Sequence, residues 1–373
     1  MSNKLYKVLD EYIYFDDAYE SQEYAKNNPG TTVIRNPDAH ESERTYQEPR
    51  KQAKMSKSPN MILKYLNEHV ISQDKAKKDI ALAMYYHSLK SQYSSNTKIG
   101  TNGPVMIVGS TGSGKTFIVQ KACEYIDTVF IHVDTASMVP EGIVGYSIGN
   151  LVADIMANAD GDLHRASHCV VFLDEIDKLF HGDNDEEHGA RVASQLLRLI
   201  EGKKVKISTD LNNTHWKNSK KELDTSNMQF ILGGAFQWIL DAKSENKTSM
   251  GFNNTNSKSS TNEITLEDLY KEEIPKELLG RMSTIVNLQK LSEDDYYKIL
   301  TNSKSSPLQE FINKVEFHGD QVDISNETLL QISKMAAESE LGVRAIKQAI
   351  NTLFTDALFS TADGEFKTHV IKF

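Results

Sequence analysis

Ser58 is where apolar positions first fall into a helical register. Ser58-Pro59 opens a predicted helix with Met61, Ile62, Tyr65 and Leu66 on one face. From Gln73 to Lys90 the spacing returns through Ala76, Ile80, Ala83, Met84 and His87. Residues 91–103 are polar and predict a loop. The pattern then changes: Pro104–Gly109, with VMIV at its centre, is a short apolar run that predicts a buried strand. Similar runs at Val129–Val133, Cys169–Leu173 and Phe230–Leu232 alternate with helical segments, the first of them Phe117–Cys123. Short all-apolar strands separated by helices predict an α/β fold, a parallel sheet with helices on both faces. Lys243–Asn262, rich in Ser, Asn, Thr and Lys, predicts a mobile loop. Beyond Leu288 the helical period dominates. Leu341, Ala345, Ala349, Leu353 and Ala357 form one stripe, backed by Ile346, Ile350, Phe354 and Leu358. A smaller, mostly helical domain is expected there, ending in a strand at Thr368–Phe373.

Residues 1–57 follow neither period. Six tyrosines (Tyr6, Tyr12, Tyr14, Tyr19, Tyr24 and Tyr46) lie among many charges, and Pro29, Pro37 and Pro49 interrupt any long element. The segment predicts a weakly ordered arm or a partner-docking segment. The expected division is therefore 1–57, 58–287 and 288–373, which suits a chain of 373 residues.

Composition narrows the function classes. The net charge of −10, from 42 basic and 52 acidic residues, disfavours a general nucleic-acid binder. Cys123 and Cys169 form no CxxC pair, so neither a disulfide framework nor a cysteine-rich zinc module is expected. His164, His168 and Cys169 have metal-like spacing, but a helix entering a strand uses such residues for packing. Acids interrupt the N-terminus where a signal peptide carries its apolar core. The longest apolar stretch, Met228–Leu240, contains Gln229 and Gln237 and is too short to span a bilayer. A cytoplasmic protein that engages neither membrane nor nucleic acid is expected.

The chemistry is concentrated after the first apolar strand. Gly109, Ser110, Thr111, Gly112, Ser113, Gly114, Lys115 and Thr116 satisfy the phosphate-loop pattern, between a strand and an apolar-faced helix. Its glycines let successive backbone N–H groups converge on phosphate oxygens, and the helix N-terminus adds its positive end. Lys115 is expected to reach the β and γ phosphates, and Thr116 to ligate Mg²⁺. The run CVVFLDEID ends a second strand on Asp174 and Glu175. Asp174 is the candidate metal-side acid, and Glu175 the group that polarises the attacking water. This pair fits ATP hydrolysis with Mg²⁺ better than nucleotide binding alone.

Together these features resemble the AAA+ ATPases, and within them the ClpX-type protein unfoldases, over about Ser58 to Ile350. The resemblance implies an AAA+ parallel sheet with flanking helices (a P-loop NTPase) and a small helical lid. It also implies a homo-oligomeric ring, most often a hexamer, acting on protein substrates. HVISQDKAKKDIALAMYYH at His69–His87 looks like the family's adenine-side segment, which puts Val70 and Ile71 at the base. Ser72 stands where the family usually has Gly. IPKELLGRM (Ile274–Met282) puts Arg281 at the arginine finger acting on a neighbouring subunit, and LGVRAIKQAI (Leu341–Ile350) makes Arg344 the second-sensor arginine. A guanidinium at either place would stabilise charge on the γ-phosphoryl oxygens.

Several positions depart from the family. Gly142, Ile143, Val144 and Gly145 align with a pore loop that usually reads Gly-Tyr-Val-Gly. Here either Ile143–Val144 grips substrate by shape or Tyr146 takes that role. The second pore loop falls in 208–224, without the Arg-Lys-His signature. The strand end Leu232-Gly233-Gly234 offers no first-sensor side chain, and the N-terminal residues lack the cysteines of the family's zinc module. Met250-Gly251-Phe252 resembles the Ile-Gly-Phe tripeptide that docks a ClpP-like peptidase. The resemblance thus implies an ATP-dependent unfolding ring that feeds such a peptidase. The competing expectations are a nucleotide-dependent scaffold that threads nothing, and a nucleic-acid motor, which the acidic balance and the ClpX-like pore segment disfavour.

Overall fold

The computed structural model describes residues 6–8, 14–15, 26, 33–35, 57–92, 103–140, 142–180, 186–207, 222–249, 263–272, 274–362 and 368–371. The chain divides into two compact units, Met1–Met55 and Ser56–Phe373. In the first, β1 (Tyr6–Val8) pairs antiparallel with β2 (Tyr14–Phe15) and β3 (Val33–Arg35), in the order β2-β1-β3.

The second unit opens with α1 (Pro59–His69) and α2 (Asp74–Gln92). Ser58 caps α1 by accepting from the Met61 N–H, and Pro59 starts the helix where no N–H is needed. Ile62 and Leu66 are buried, whereas Met61 of the expected face is exposed. Then come β4 (Val105–Val108), α3 (Lys115–Ile126), β5 (Phe130–Asp134), α4 (Ile148–Asn158), α5 (Leu163–Ser167) and β6 (Val170–Asp174). After α6 (Glu186–Ile200) the strands β7 (Lys204–Lys206) and β8 (Glu222–Asp224) form an antiparallel pair. β9 (Gln229–Gly234) leads into α7 (Gln237–Ser249), and α8 (Leu266–Tyr270) and α9 (Lys276–Leu279) precede β10 (Thr284–Asn287).

β4, β5, β6, β9 and β10 form one all-parallel sheet in the order β10-β4-β9-β6-β5. The three inner strands, β4, β9 and β6, are buried on both faces, which is why they read as nearly unbroken apolar runs, whereas the edge strands β5 and β10 keep polar positions. On β4, Val105 and Ile107 pack under α1, α2 and α3, while Met106 and Val108 face the opposite core. β6 divides likewise, Val170 and Phe172 to the first core and Val171 and Leu173 to the second.

The rest of the chain has its own core. It contains α10 (Glu293–Thr301), α11 (Pro307–Glu316), β11 (Gln321–Ile324), α12 (Asn326–Glu338), α13 (Val343–Ala362) and β12 (Thr368–Ile371). β12 pairs in parallel with β11, a partner strand the sequence pattern did not suggest. Ile346, Ile350, Phe354 and Ala357 of α13 are buried as their spacing predicts. Leu341 is exposed and precedes the helix, so it is not part of that stripe. The expected loop from Lys243 is also helical as far as Ser249. Lys243, in α7, is tied to Asp268 and to the Glu263 carbonyl, which carries the helix into the polar stretch.

His87 of α2 is buried and donates through Nε2 to the His168 carbonyl at 2.9 Å. Burial pushes its pKa down from 6.5 to about 4. Above pH 6.5 both folded and unfolded chains hold it neutral, and its contribution is complete. As pH falls from 6.5 towards 4 only the unfolded chain gains the proton, so stability drops by about 1.4 kcal/mol per unit. The urea midpoint should therefore fall between pH 6.5 and 4.5. His87→Gln, which keeps a donor, should fall less, and identical slopes for both proteins would count against this role.

Candidate active site

A cavity of about 430 Å³ lies between the phosphate loop, the segment after α1, and the start of α13. Gly112, the loop's middle glycine, has φ +74. A Cβ there would lie 2.2 Å from the Leu341 carbonyl oxygen, so only glycine lets the run into α13 rest on the loop. The Val343 N–H in turn donates to the Gly112 carbonyl at 3.4 Å. Lys115 begins α3 and donates to the loop carbonyls of Gly109 at 2.8 Å and Ser110 at 3.3 Å. Burial lowers its pKa, opposed by the charges of Asp174 and Asp177.

Asp174 ends β6 beside that lysine. Its Oδ2 accepts from Thr116 Oγ1 at 3.1 Å, and its Oδ1 accepts from the Glu175 N–H at 3.0 Å. Burial raises its pKa, but these donors, His132 and the Lys115 charge outweigh burial and hold the carboxyl below the usual range. Glu175 has φ +57, a strained conformation for a side-chain-bearing residue, and its carboxylate pairs with Lys178. Asp177 is buried rather than solvated. Its Oδ2 accepts from the N–H groups of Ala235 at 3.1 Å and Phe236 at 3.0 Å, fixing the turn after β9. Gly233 explains the missing first-sensor side chain: a Cβ there would meet the Phe172 ring at 2.6 Å and Asp174 Oδ1 at 3.0 Å.

Across the cavity, Arg344 and Lys347 project from α13 with the one-turn spacing of helix neighbours. Among the described residues, no carboxylate forms an ion pair with Lys115, Arg344 or Lys347. Three cations without anionic partners suit a polyphosphate, and the hydroxyl of Thr116 beside the Asp174 carboxylate suits a hard divalent cation.

The end of the cavity beside Val70 is apolar. Val70 and Ile71 line it with Leu291, Ile299 and Pro307. Ser72 and Gln73 follow with φ +55 and +60. The Ser72 hydroxyl donates to Asp295 of α10. Gln73 exchanges two hydrogen bonds with the Gln289 backbone, each 2.8 Å long. Ser303 donates to the His69 carbonyl at 2.7 Å. Ser72 thus adopts the backbone conformation a glycine would supply, at a cost of about 1 kcal/mol, and its side chain ties the segment after α1 to α10.

Residues 101–285 match the family described as AAA domain (Cdc48 subfamily). The chain is also 28% identical over 321 residues to the ATP-dependent Clp protease ATP-binding subunit ClpX of Treponema denticola, an alignment covering 81% of this chain and 77% of that protein. The chain is a ClpX-like AAA+ ATPase. Its AAA domain carries the phosphate loop, Asp174 and Glu175, while Arg344 and Lys347 reach the cavity from beyond it.

Two expected parts of this ATPase stand apart from the cavity. Arg281, half-exposed after α9, does not line it, and its Nη2 lies 3.0 Å from Glu201 Oε1. In the segment 142–146, Ile143 is 50% and Val144 100% exposed between Gly142 and Gly145. Tyr146 is not at that tip. It packs against the core, and its hydroxyl donates to Asp154 at 2.7 Å. The Val139 N–H donates to the Tyr146 carbonyl at 2.8 Å and closes the loop. Met250, Gly251 and Phe252, and most of the second pore segment, lie outside the described residues.

Sequence reasoning missed Lys347, Lys178, Asp177, Gln73 and His132. Lys347 carried a signal, because it follows Arg344 by one helical turn. Lys178 likewise follows Glu175 by three residues, while the others act through contacts that no local spacing announces. His164 and His168 stack on each other, 4.4 Å between centroids, and no metal-holding cluster occurs among the described residues. Among those residues no helix is long and apolar enough to cross a membrane.

Proposed function

We propose that this ATPase works in the cytoplasm as a homo-oligomeric ring, most simply a hexamer, that uses Mg²⁺ and ATP to remodel protein substrates. The observation that carries the reading is that one cavity is lined by Lys115, Arg344 and Lys347 together with the carboxylates of Asp174 and Glu175. Val70 and Ile71 hold the base. The N–H groups of Thr111, Gly112 and Gly114 and the Lys115 ammonium hold the phosphates, while the Gly109 N–H is taken by the Gly234 carbonyl and anchors the loop to β9. Thr116 and Asp174 would hold the metal, which would supply positive charge against the phosphates when bound. Glu175 accepts a proton from the attacking water once it leaves Lys178. Arg344 stabilises the γ-phosphoryl charge from the same chain, so nucleotide state and lid angle are coupled. Arg281 would do so from the neighbouring chain.

Substrate contact falls to Ile143 and Val144, with Tyr146 bracing the loop from behind. Docking of a ClpP-like peptidase through Met250 and Phe252 is part of the same proposal. A second reading, a scaffold that remodels a partner without threading it, draws support from the aliphatic loop tip. A tagged green fluorescent protein separates the two. Fluorescence should be lost when ATP is added to the ring and kept with ADP. Retained fluorescence, under conditions where ATP is hydrolysed, would favour the scaffold.

A further inference from the structure

His132 lies on β5, one of the two edge strands of the parallel sheet, and reaches towards the end of β6. Its ring stacks on Phe172, with 5.7 Å between centroids and 29° between planes. Its Nε2 is 3.3 Å from Asp174 Oδ2. The side chain is half-exposed, so filling the core does not account for it.

Asp174 is bounded on several sides. Thr116 reaches Oδ2 from α3, the Glu175 N–H reaches Oδ1, and β9 runs so close that a Cβ on Gly233 would lie 3.0 Å from Oδ1. His132 supplies a donor from the neighbouring strand. With Oδ2 shared by Thr116 and His132, the carboxylate cannot rotate without losing donors. Donors of this kind decide which lone pairs a carboxylate presents to a cation.

We propose that His132 is a positioning residue that fixes the Asp174 carboxylate for the nucleotide-bound cation. The assignment rests on the reading of Asp174 as the cation-side acid. Phe172 sets the plane of the imidazole, and Nε2 carries the hydrogen that Asp174 accepts.

The test uses a fluorescent ADP analogue bound to the full chain, titrated with Mg²⁺ and repeated in EDTA. His132→Leu keeps an apolar side chain on Phe172 and removes the donor, whereas His132→Gln keeps a donor. The Leu variant should need about 10-fold more Mg²⁺ for half-saturation, and the Gln variant should recover most of that loss. Binding in EDTA should be equal in all three proteins. An unchanged Mg²⁺ requirement in the Leu variant, equal losses in Leu and Gln, or weakened binding in EDTA would each overturn the proposal. A wild-type protein indifferent to Mg²⁺ would instead remove the Asp174 reading, and this inference with it.

Discussion

Glu175→Gln should lower ATP turnover by about 100-fold to 10,000-fold while leaving ATP binding near its original strength. The amide matches the carboxylate in size but cannot accept the proton of the attacking water. It cannot pair electrostatically with Lys178 either, but that pair is substantially exposed, and such pairs contribute little to folding. The backbone strain at φ +57 is the same for Glu and Gln. The melting temperature should therefore stay within a degree or two of the original while hydrolysis nearly stops. Comparing nucleotide binding by equilibrium titration with steady-state phosphate release checks this. Unchanged turnover would take Glu175 out of the chemistry.

Arg281→Ala should reduce turnover by about 1,000-fold or more, the scale on which a transition-state arginine operates. The side chain does not line the cavity of its own chain, so nucleotide binding should persist. Folding should also persist, because the contact with Glu201 is at the surface and Glu201 keeps Lys203 as a partner at 3.1 Å. Arg344→Ala should behave differently, changing how nucleotide state sets the lid angle within one chain. Phosphate release by Arg281→Ala rings at saturating ATP measures the effect, and turnover near wild type would dismiss the finger.

The parts of the site that were legible in the sequence are those whose chemistry is local. A strand, a glycine-rich loop and a helix N-terminus occupy Val105–Ile126 without interruption, so the phosphate cradle can be read in one pass. Asp174 and Glu175 are likewise marked by the apolar strand they end. The lid contacts are not local: Gln73 meets Gln289 across 216 positions and Ser72 meets Asp295 across 223. Nothing in the spacing near Ser72 reveals that its hydroxyl has a partner on α10. Asp177 reads as one more acid in a polar turn, and only the fold turns two N–H groups of the next strand's exit towards it. Helix ends were missed for a related reason. Periodicity marks which face is buried, but it does not reveal that Lys243 is held by Asp268 and the Glu263 carbonyl where α7 enters the polar stretch.

The central claim is that one active site is built by two chains, the cavity from one and Arg281 from the next. Mixing Lys115→Ala subunits, which should bind nucleotide poorly but carry Arg281, with Arg281→Ala subunits, which keep the cavity, tests it most directly. Each variant alone should be nearly inactive. Mixed rings should recover measurable ATP hydrolysis, rising to a maximum at intermediate ratios. Rings shown to contain both subunits, yet hydrolysing no more ATP than either variant alone, would contradict the claim.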